Sequence, residues 1–176
     1  RAQYERAQVA FPLTGEVTLQ VLDTGPVCGE WLLPTAASDA VVLYLHGGGY
    51  VIGSPRSHRH LAADIAVAAG TRAFTVDYRL APEHPFPAAL EDAVAAYRWL
   101  IESHRTQPSR IVLAGDSAGG GLVLTTLVAL RDAGLPLPAA GVCISPWTDL
   151  SCSLPSCDPQ RPGHDPLIDH AVLRAM

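Results

Sequence analysis

Apolar and polar positions alternate along residues 16–22, where Val17, Leu19 and Val21 interleave with polar neighbours. That period of two predicts a half-exposed strand. Asp23-Thr24-Gly25-Pro26 supplies a turn and residues 27–33 return as a second strand, so the pair reads as an antiparallel hairpin. The pattern changes at Val41. Val41-Val42-Leu43-Tyr44-Leu45 is continuously apolar, as a strand covered on both faces should be. Leu61, Ile65 and Ala69 then recur at helical spacing, with Ser57 as the expected N-cap and Gly70 as the stop. Residues 71–76 form the next predicted strand. Leu90, Val94, Tyr97 and Ile101 mark a helix that Pro87 can open and that runs through Ser103. Residues 110–114 make another short apolar run, and residues 120–131 read as a buried helix. A last strand spans 140–145, after Gly134 and Pro136 break the chain.

Strands that alternate with helices imply right-handed crossovers and a mainly parallel sheet with helices on both faces. Ligand chemistry in such a sheet belongs at the carboxyl ends of its strands. Two glycine-rich stretches fall at those ends, one after Leu45 and one after Ala114. Their shared placement carries more weight than either stretch alone.

Composition narrows the possibilities. A chain of 176 residues, 48% of them hydrophobic, can bury one sizeable core. A net charge of −5 without any basic block argues against nucleic acid or an anionic membrane as partner. The sequence contains neither lysine nor asparagine, which excludes a P-loop and an N-glycosylation site. No apolar run reaches the roughly 18 residues that a membrane span needs, and the expected location is cytoplasmic. The four cysteines (Cys28, Cys143, Cys152 and Cys157) are irregularly spaced, and Cys143 sits in an apolar run that suggests a reduced interior. Cys152, Cys157 and His164 match zinc-ligand spacing poorly, so no metal is expected.

The chemistry concentrates in Gly115-Asp116-Ser117-Ala118-Gly119. A G-x-S-x-G set between a strand and a helix is the context of a nucleophile elbow, with Ser117 as the nucleophile. Small neighbours let the backbone turn sharply, and the helix start aims free N–H groups at developing negative charge. After the first buried strand comes His46-Gly47-Gly48-Gly49-Tyr50, whose glycines leave backbone N–H groups uncovered. Gly47 and Gly48 are expected to join Ala118 as the oxyanion hole. Dinucleotide binding fails on register. Gly47-x-Gly49 leads to Ile52 and Gly119-x-Gly121 leads to Leu124, where the fingerprint needs a small residue.

Together, His46-Gly47-Gly48-Gly49 and Gly115-Asp116-Ser117-Ala118-Gly119-Gly120 resemble the bacterial hormone-sensitive-lipase-like carboxylesterases of the α/β-hydrolase fold. Between them, residues 76–89 (from Val76-Asp77-Tyr78-Arg79 to Pro87-Ala88-Ala89) resemble that family's linking segment. After them, Ser145-Pro146-Trp147-Thr148-Asp149-Leu150 matches the end of its next strand. The resemblance implies hydrolysis of short- to medium-chain esters through an acyl-enzyme, without metal or cofactor. It also implies an N-terminal helical cap, and it makes His46 an organiser of the glycine loop. Asp77, Arg79 and Glu83 then read as an ion-pair network holding a loop, in preference to substrate contacts. Tyr50 reads either as pocket lining or as packing.

A serine needs a base, and the base needs a carboxylate. The order in α/β hydrolases is Ser, then Asp or Glu, then His, and the family places the last two after two further strands. No apolar run of strand length follows Leu150. Asp158 with His164, and Asp165 with His170, satisfy the order, but Asp165-Pro166-Leu167-Ile168 resembles the family's cap. His58, His60, His84 and His104 precede the nucleophile, and His58 and His60 read as surface residues at a helix start. With no Met at the start and a helical-looking stretch at Met176, the chain reads as cut at both ends. Residues 1–150 are then the hydrolase domain without its last two strands, with 1–15 a cap remnant and 151–176 the opening of the cap. Expected consequences are an apolar sheet edge at 141–145 open to homodimer formation, poor solubility or partial unfolding, and very weak ester turnover. The competing readings are a non-catalytic binder of small apolar ligands, like the plant gibberellin receptor, and an amide or lactone hydrolase.

Overall fold

The computed structural model describes residue 13 and residues 16–153. The cap expected at 1–15 and 151–176, apart from the few residues included here, lies outside the described residues. So do Cys157, Asp158, His164, Asp165 and His170. The expected hairpin is present: β1 (Val17–Leu22) pairs antiparallel with β2 (Gly29–Pro34), setting Leu22 against Gly29. Then follow β3 (Val41–Leu45), α1 (Pro55–Ala69) and β4 (Arg72–Val76). The chain continues through α2 (Ala88–Glu102), β5 (Ile111–Asp116), α3 (Ala118–Asp132) and β6 (Ala140–Ile144). One sheet holds all six strands in the order β1-β2-β4-β3-β5-β6. From β4 through β6 neighbouring strands run parallel, and only the hairpin side is antiparallel.

Side chains of β3 alternate between two cores. Val41, Leu43 and Leu45 pack with Phe74, Tyr97, Leu113, Val123 and Leu130 on the side of α2 and α3. Val42 and Tyr44 pack with Ala62, Ala63 and Ala66 of α1 on the opposite side. The alanine face of α1 lets that helix lie close to the sheet. Each large apolar side chain buried here contributes about 1.5–3 kcal/mol, so the layers on both sides of β3 anchor the fold.

Local chemistry moves some expected boundaries. The N-cap of α1 is Ser54 and not Ser57, whose place is the third helical residue. Ser54 Oγ accepts the Ser57 N–H at 3.1 Å, and Ser57 Oγ accepts the Ser54 N–H at 2.9 Å. Two donors left over at the helix start are satisfied reciprocally, with Pro55 at the first helical position. A 3₁₀ turn at Pro108–Arg110, which the apolar pattern does not reveal, leads into β5.

Among the described residues nothing pairs with the outer edge of β6. One face of that strand is bare as well, with Val142 47% and Ile144 38% exposed. An apolar strand with open backbone groups is a template for association. Two outcomes are expected. The chain self-associates in sedimentation velocity, and Val142→Lys shifts it toward monomer. Separately, Ser54→Ala lowers unfolding free energy by about 1 kcal/mol, read from urea midpoints.

Candidate active site

The carboxyl ends of β3 and β5 lie side by side, with Leu45 in register with Gly115. From β3 the chain crosses to β4 on one side, then crosses back to β5 on the other. That reversal opens a crevice between the two loops at the strand ends. The glycine loop and the serine turn therefore meet.

Ser117 sits between β5 and α3 with φ 50° and ψ −118°, a backbone conformation that L-residues rarely adopt. Such a residue costs about 1–3 kcal/mol and persists only where its surroundings hold it. Here they do. The Ser117 N–H donates to Ile144 O at 2.9 Å, and Ser117 O accepts from Trp147 N at 2.8 Å and Gly121 N at 3.1 Å. The end of β6 and the loop after it thus grip the turn on two sides. Gly119 permits the rest: a Cβ there would collide with Leu45 O and lie 2.5 Å from His46 O. The first turn of α3 consequently rests against the end of β3. The Ser117 hydroxyl makes no capping bond to the helix beneath it.

The glycine loop turns through positive φ at Gly48 (117°), Gly49 (61°) and Tyr50 (63°). Gly48 O closes the turn by accepting Val51 N at 3.1 Å and Ile52 N at 3.0 Å. Of the expected oxyanion donors, Gly47 is engaged within the structure. Its N–H donates to Asp116 Oδ1 at 2.9 Å and has none left for a substrate. Among the described residues, the N–H groups of Gly48, Gly49 and Ala118 have no acceptor. Consecutive glycines look alike in a sequence. What separates Gly47 from Gly49 is the carboxylate, and no local pattern reveals where it points.

Two histidines border the loop without reaching Ser117. His46 is buried, stacked on Tyr78 at 4.2 Å between ring centres, and its Nδ1–H donates to Gly47 O at 2.7 Å. Burial lowers its pKa to about 4, partly opposed by the bond to Gly47, so the ring is neutral. His58 is also buried, against the expectation of a surface residue. It bonds Ser57 Oγ through Nδ1 at 2.9 Å and faces Asp116 Oδ2 at 3.6 Å. Burial raises the Asp116 pKa, but hydrogen bonds from His58, Tyr44 and Gly47 outweigh it and hold the carboxyl below its usual range. His104 lies in an aromatic cluster with Trp31 and Trp99, away from the strand ends that carry the loops.

Beside the glycine loop a cavity of about 420 Å³ is lined by Tyr50, Phe86, Leu90, Leu122 and Trp147. Tyr50 is half-buried there, its ring 6.4 Å from that of Trp147. Arg79 also borders this cavity but is tied to Asp92 Oδ1 at 2.8 Å and Glu91 Oε2 at 3.0 Å. Those bonds fasten the segment after β4 to α2, which suits a loop-holding role. No group of three or more His, Cys, Asp or Glu among the described residues is placed to hold a metal. Among them, too, no helix is long and apolar enough to cross a membrane.

Neutral burial of His46 has a measurable consequence. Its folded pKa lies below the unfolded value, so on acidification the unfolded chain takes up the proton first and stability falls. The loss starts near pH 6.5 and is complete near pH 4, and between pH 7.5 and 5 it amounts to about 2 kcal/mol. His104, whose pKa is lowered by burial and by Arg72, acts in the same direction. Urea midpoints at the two pH values should show this loss, and His46→Asn should remove most of it.

Comparison with known proteins identifies the fold family. The family model for the alpha/beta hydrolase fold matches residues 42–176. An acetyl-hydrolase of Streptomyces hygroscopicus is 51% identical over 176 residues, all of this chain and 58% of that protein. An ethyl acetate hydrolase of Pseudomonas putida is 42% identical over 144 residues, which are 78% of this chain and 44% of the relative. The crystal structure of an esterase from the bacterial hormone-sensitive lipase family superposes with a TM-score of 0.84 at 55% identity. That superposition covers 89% of this chain and 52% of the other. The chain thus spans about half the length of the relatives it matches. With the sheet order, the serine turn and the family match in agreement, this chain belongs to the alpha/beta hydrolase fold family.

Proposed function

We propose that the chain carries the nucleophile and oxyanion-stabilising half of a serine carboxylesterase for short- to medium-chain esters. One observation carries the reading: Ser117 is held at φ 50° at a strand–helix turn next to the glycine loop, where the N–H groups of Gly48, Gly49 and Ala118 lack acceptors among the described residues. Ser117 Oγ attacks the ester carbonyl and gives its proton to a histidine base. Gly48, Gly49 and Ala118 donate to the resulting oxyanion, aided by the positive end of α3. Collapse of the tetrahedral species expels the alcohol, which takes the proton back from the histidine. Water then repeats the sequence on the acyl-enzyme and releases the acid.

The small-acyl preference is taken from the relatives named for acetyl ester chemistry. Residues 1–150 form the hydrolase domain in this reading, and 151–176 open a cap. The carboxylate and the histidine must follow Ser117 in the chain. Asp158 with His164 and Asp165 with His170 lie outside the described residues, and the resemblance places these partners after two further strands. The 176-residue chain alone is accordingly expected to turn over ester very weakly.

Splicing these 176 residues onto the remainder of the Streptomyces relative tests the assignment. The spliced enzyme should hydrolyse p-nitrophenyl acetate, and Ser117→Ala should lower kcat by about a thousandfold or more. Hydrolysis that survives the substitution would overturn the role of Ser117. Robust Ser117-dependent hydrolysis by the 176-residue chain itself would place the base at His164 or His170.

A further inference from the structure

We propose that Asp116 is a positioning residue that fixes the orientation in which Gly48 offers its N–H to the reacting carbonyl. The inference rests on the esterase reading for the identity of that donor. The argument for Asp116 is geometric. The peptide bonds joining His46, Gly47 and Gly48 are trans, since the cis bonds of the described residues are both X–Pro. A planar trans peptide points its N–H opposite to its C=O, so fixing one fixes the other. The His46–Gly47 plane is held at both ends: Tyr78 O–H donates to His46 O at 2.6 Å, and Gly47 N–H donates to Asp116 Oδ1 at 2.9 Å. The next plane is held through Gly47 O, which accepts from His46 Nδ1 at 2.7 Å. Gly48 N–H must then point away from that bond.

The carboxylate is itself fixed. Oδ1 also accepts the Tyr44 hydroxyl at 2.7 Å, and Oδ2 faces His58 Nε2 at 3.6 Å. Through Ser57, His58 is tied to the capped start of α1. A Cβ on Gly47 would collide with Asp116 Oδ2, so the glycine admits this contact and little else. An ionised carboxylate is acceptor-only and can serve the hydroxyl and the amide at once. Asp116 also directly precedes Ser117, so the end of β5 delivers the nucleophile and, through the carboxylate, sets the donor that serves it.

A carboxylate that merely satisfies a buried amide would make the same bond, so the test must separate the two roles. In the ¹⁵N-labelled 176-residue chain, Asp116→Ala should lower hydrogen-exchange protection of the Gly47 amide about tenfold or more relative to Leu113. Asp116→Asn keeps an acceptor oxygen and should hold that ratio near the wild-type value. In the spliced enzyme, Asp116→Ala should lower kcat by about tenfold or more, with KM little changed and Asn restoring most of the loss. An unchanged Gly47-to-Leu113 ratio, or an unchanged kcat, in the alanine variant overturns the proposal. Should that variant fail to fold, the wild-type chain decides. A through-bond coupling between the Gly47 ¹⁵N and the Asp116 carboxyl ¹³C is expected, and its absence overturns the clamp. Ester hydrolysis independent of Ser117, with the Gly47 bond intact, would instead remove the esterase reading and leave the clamp.

Discussion

The parallel pairing of β3 with β5, with Leu45 set against Gly115, is the constraint on which the rest of the site depends. Each strand ends in a loop that is unremarkable alone, since glycine runs make turns and a small-residue turn before a helix is common. The pairing brings the loops to one point, and Gly119 lets α3 begin against the carbonyls of Leu45 and His46. A slip of one residue would turn Leu45 and Leu113 away from their shared core. Burial of those side chains thus fixes the register, and the register fixes how the glycine loop and the serine turn face each other. Core packing and site geometry are one problem in this fold.

Around that pairing the polar groups of the loops are used economically. Gly47 gives its N–H to Asp116 and its carbonyl to His46, which leaves neither for a ligand. His46 can play this part only when neutral, and burial keeps it so at physiological pH. The ring that a motif search would propose as a base is thus committed to the backbone. His58 is committed likewise, to Ser57 and to the face of Asp116. In the proposed mechanism, the base for Ser117 is therefore a group outside this cluster.

Much of this was legible in the sequence, and the limits are physical. The continuous apolar run at Val41–Leu45 and the hairpin alternation before it follow from burial on two faces and on one, so a hydrophobicity pattern registers them. The strand–turn–helix setting of Ser117 was legible because both elements flank it directly. The cap of α1 was misplaced because Ser54 and Ser57 are chemically identical, and only geometry makes one the cap and the other its partner. The engagement of Gly47 was illegible for a related reason: its acceptor lies 69 positions along the chain. His58 read as exposed because its burial arises where α1 meets the end of the sheet, and a helical period alone does not encode that meeting. Local patterns find the residues that can act, and long-range polar contacts decide which of them are free to.

The last dependence joins the site to the least protected part of the fold. Ser117 holds a backbone conformation costing about 1–3 kcal/mol, and two of the bonds that hold it come from Ile144 and Trp147. Ile144 ends β6, whose outer edge is unpaired among the described residues and whose Val142 face is open. Local opening begins where burial is thinnest. If β6 peels from β5, the Ser117 N–H loses its acceptor, and the turn loses part of what opposes its strain. Relaxation there would move the hydroxyl even while β3, β4 and β5 stayed packed. Anything that covers β6 therefore steadies the Ser117 turn, and with it the neighbouring Asp116, which is in register with Ile144. The serine turn and, through Asp116, the glycine loop thus share one support at the end of β6.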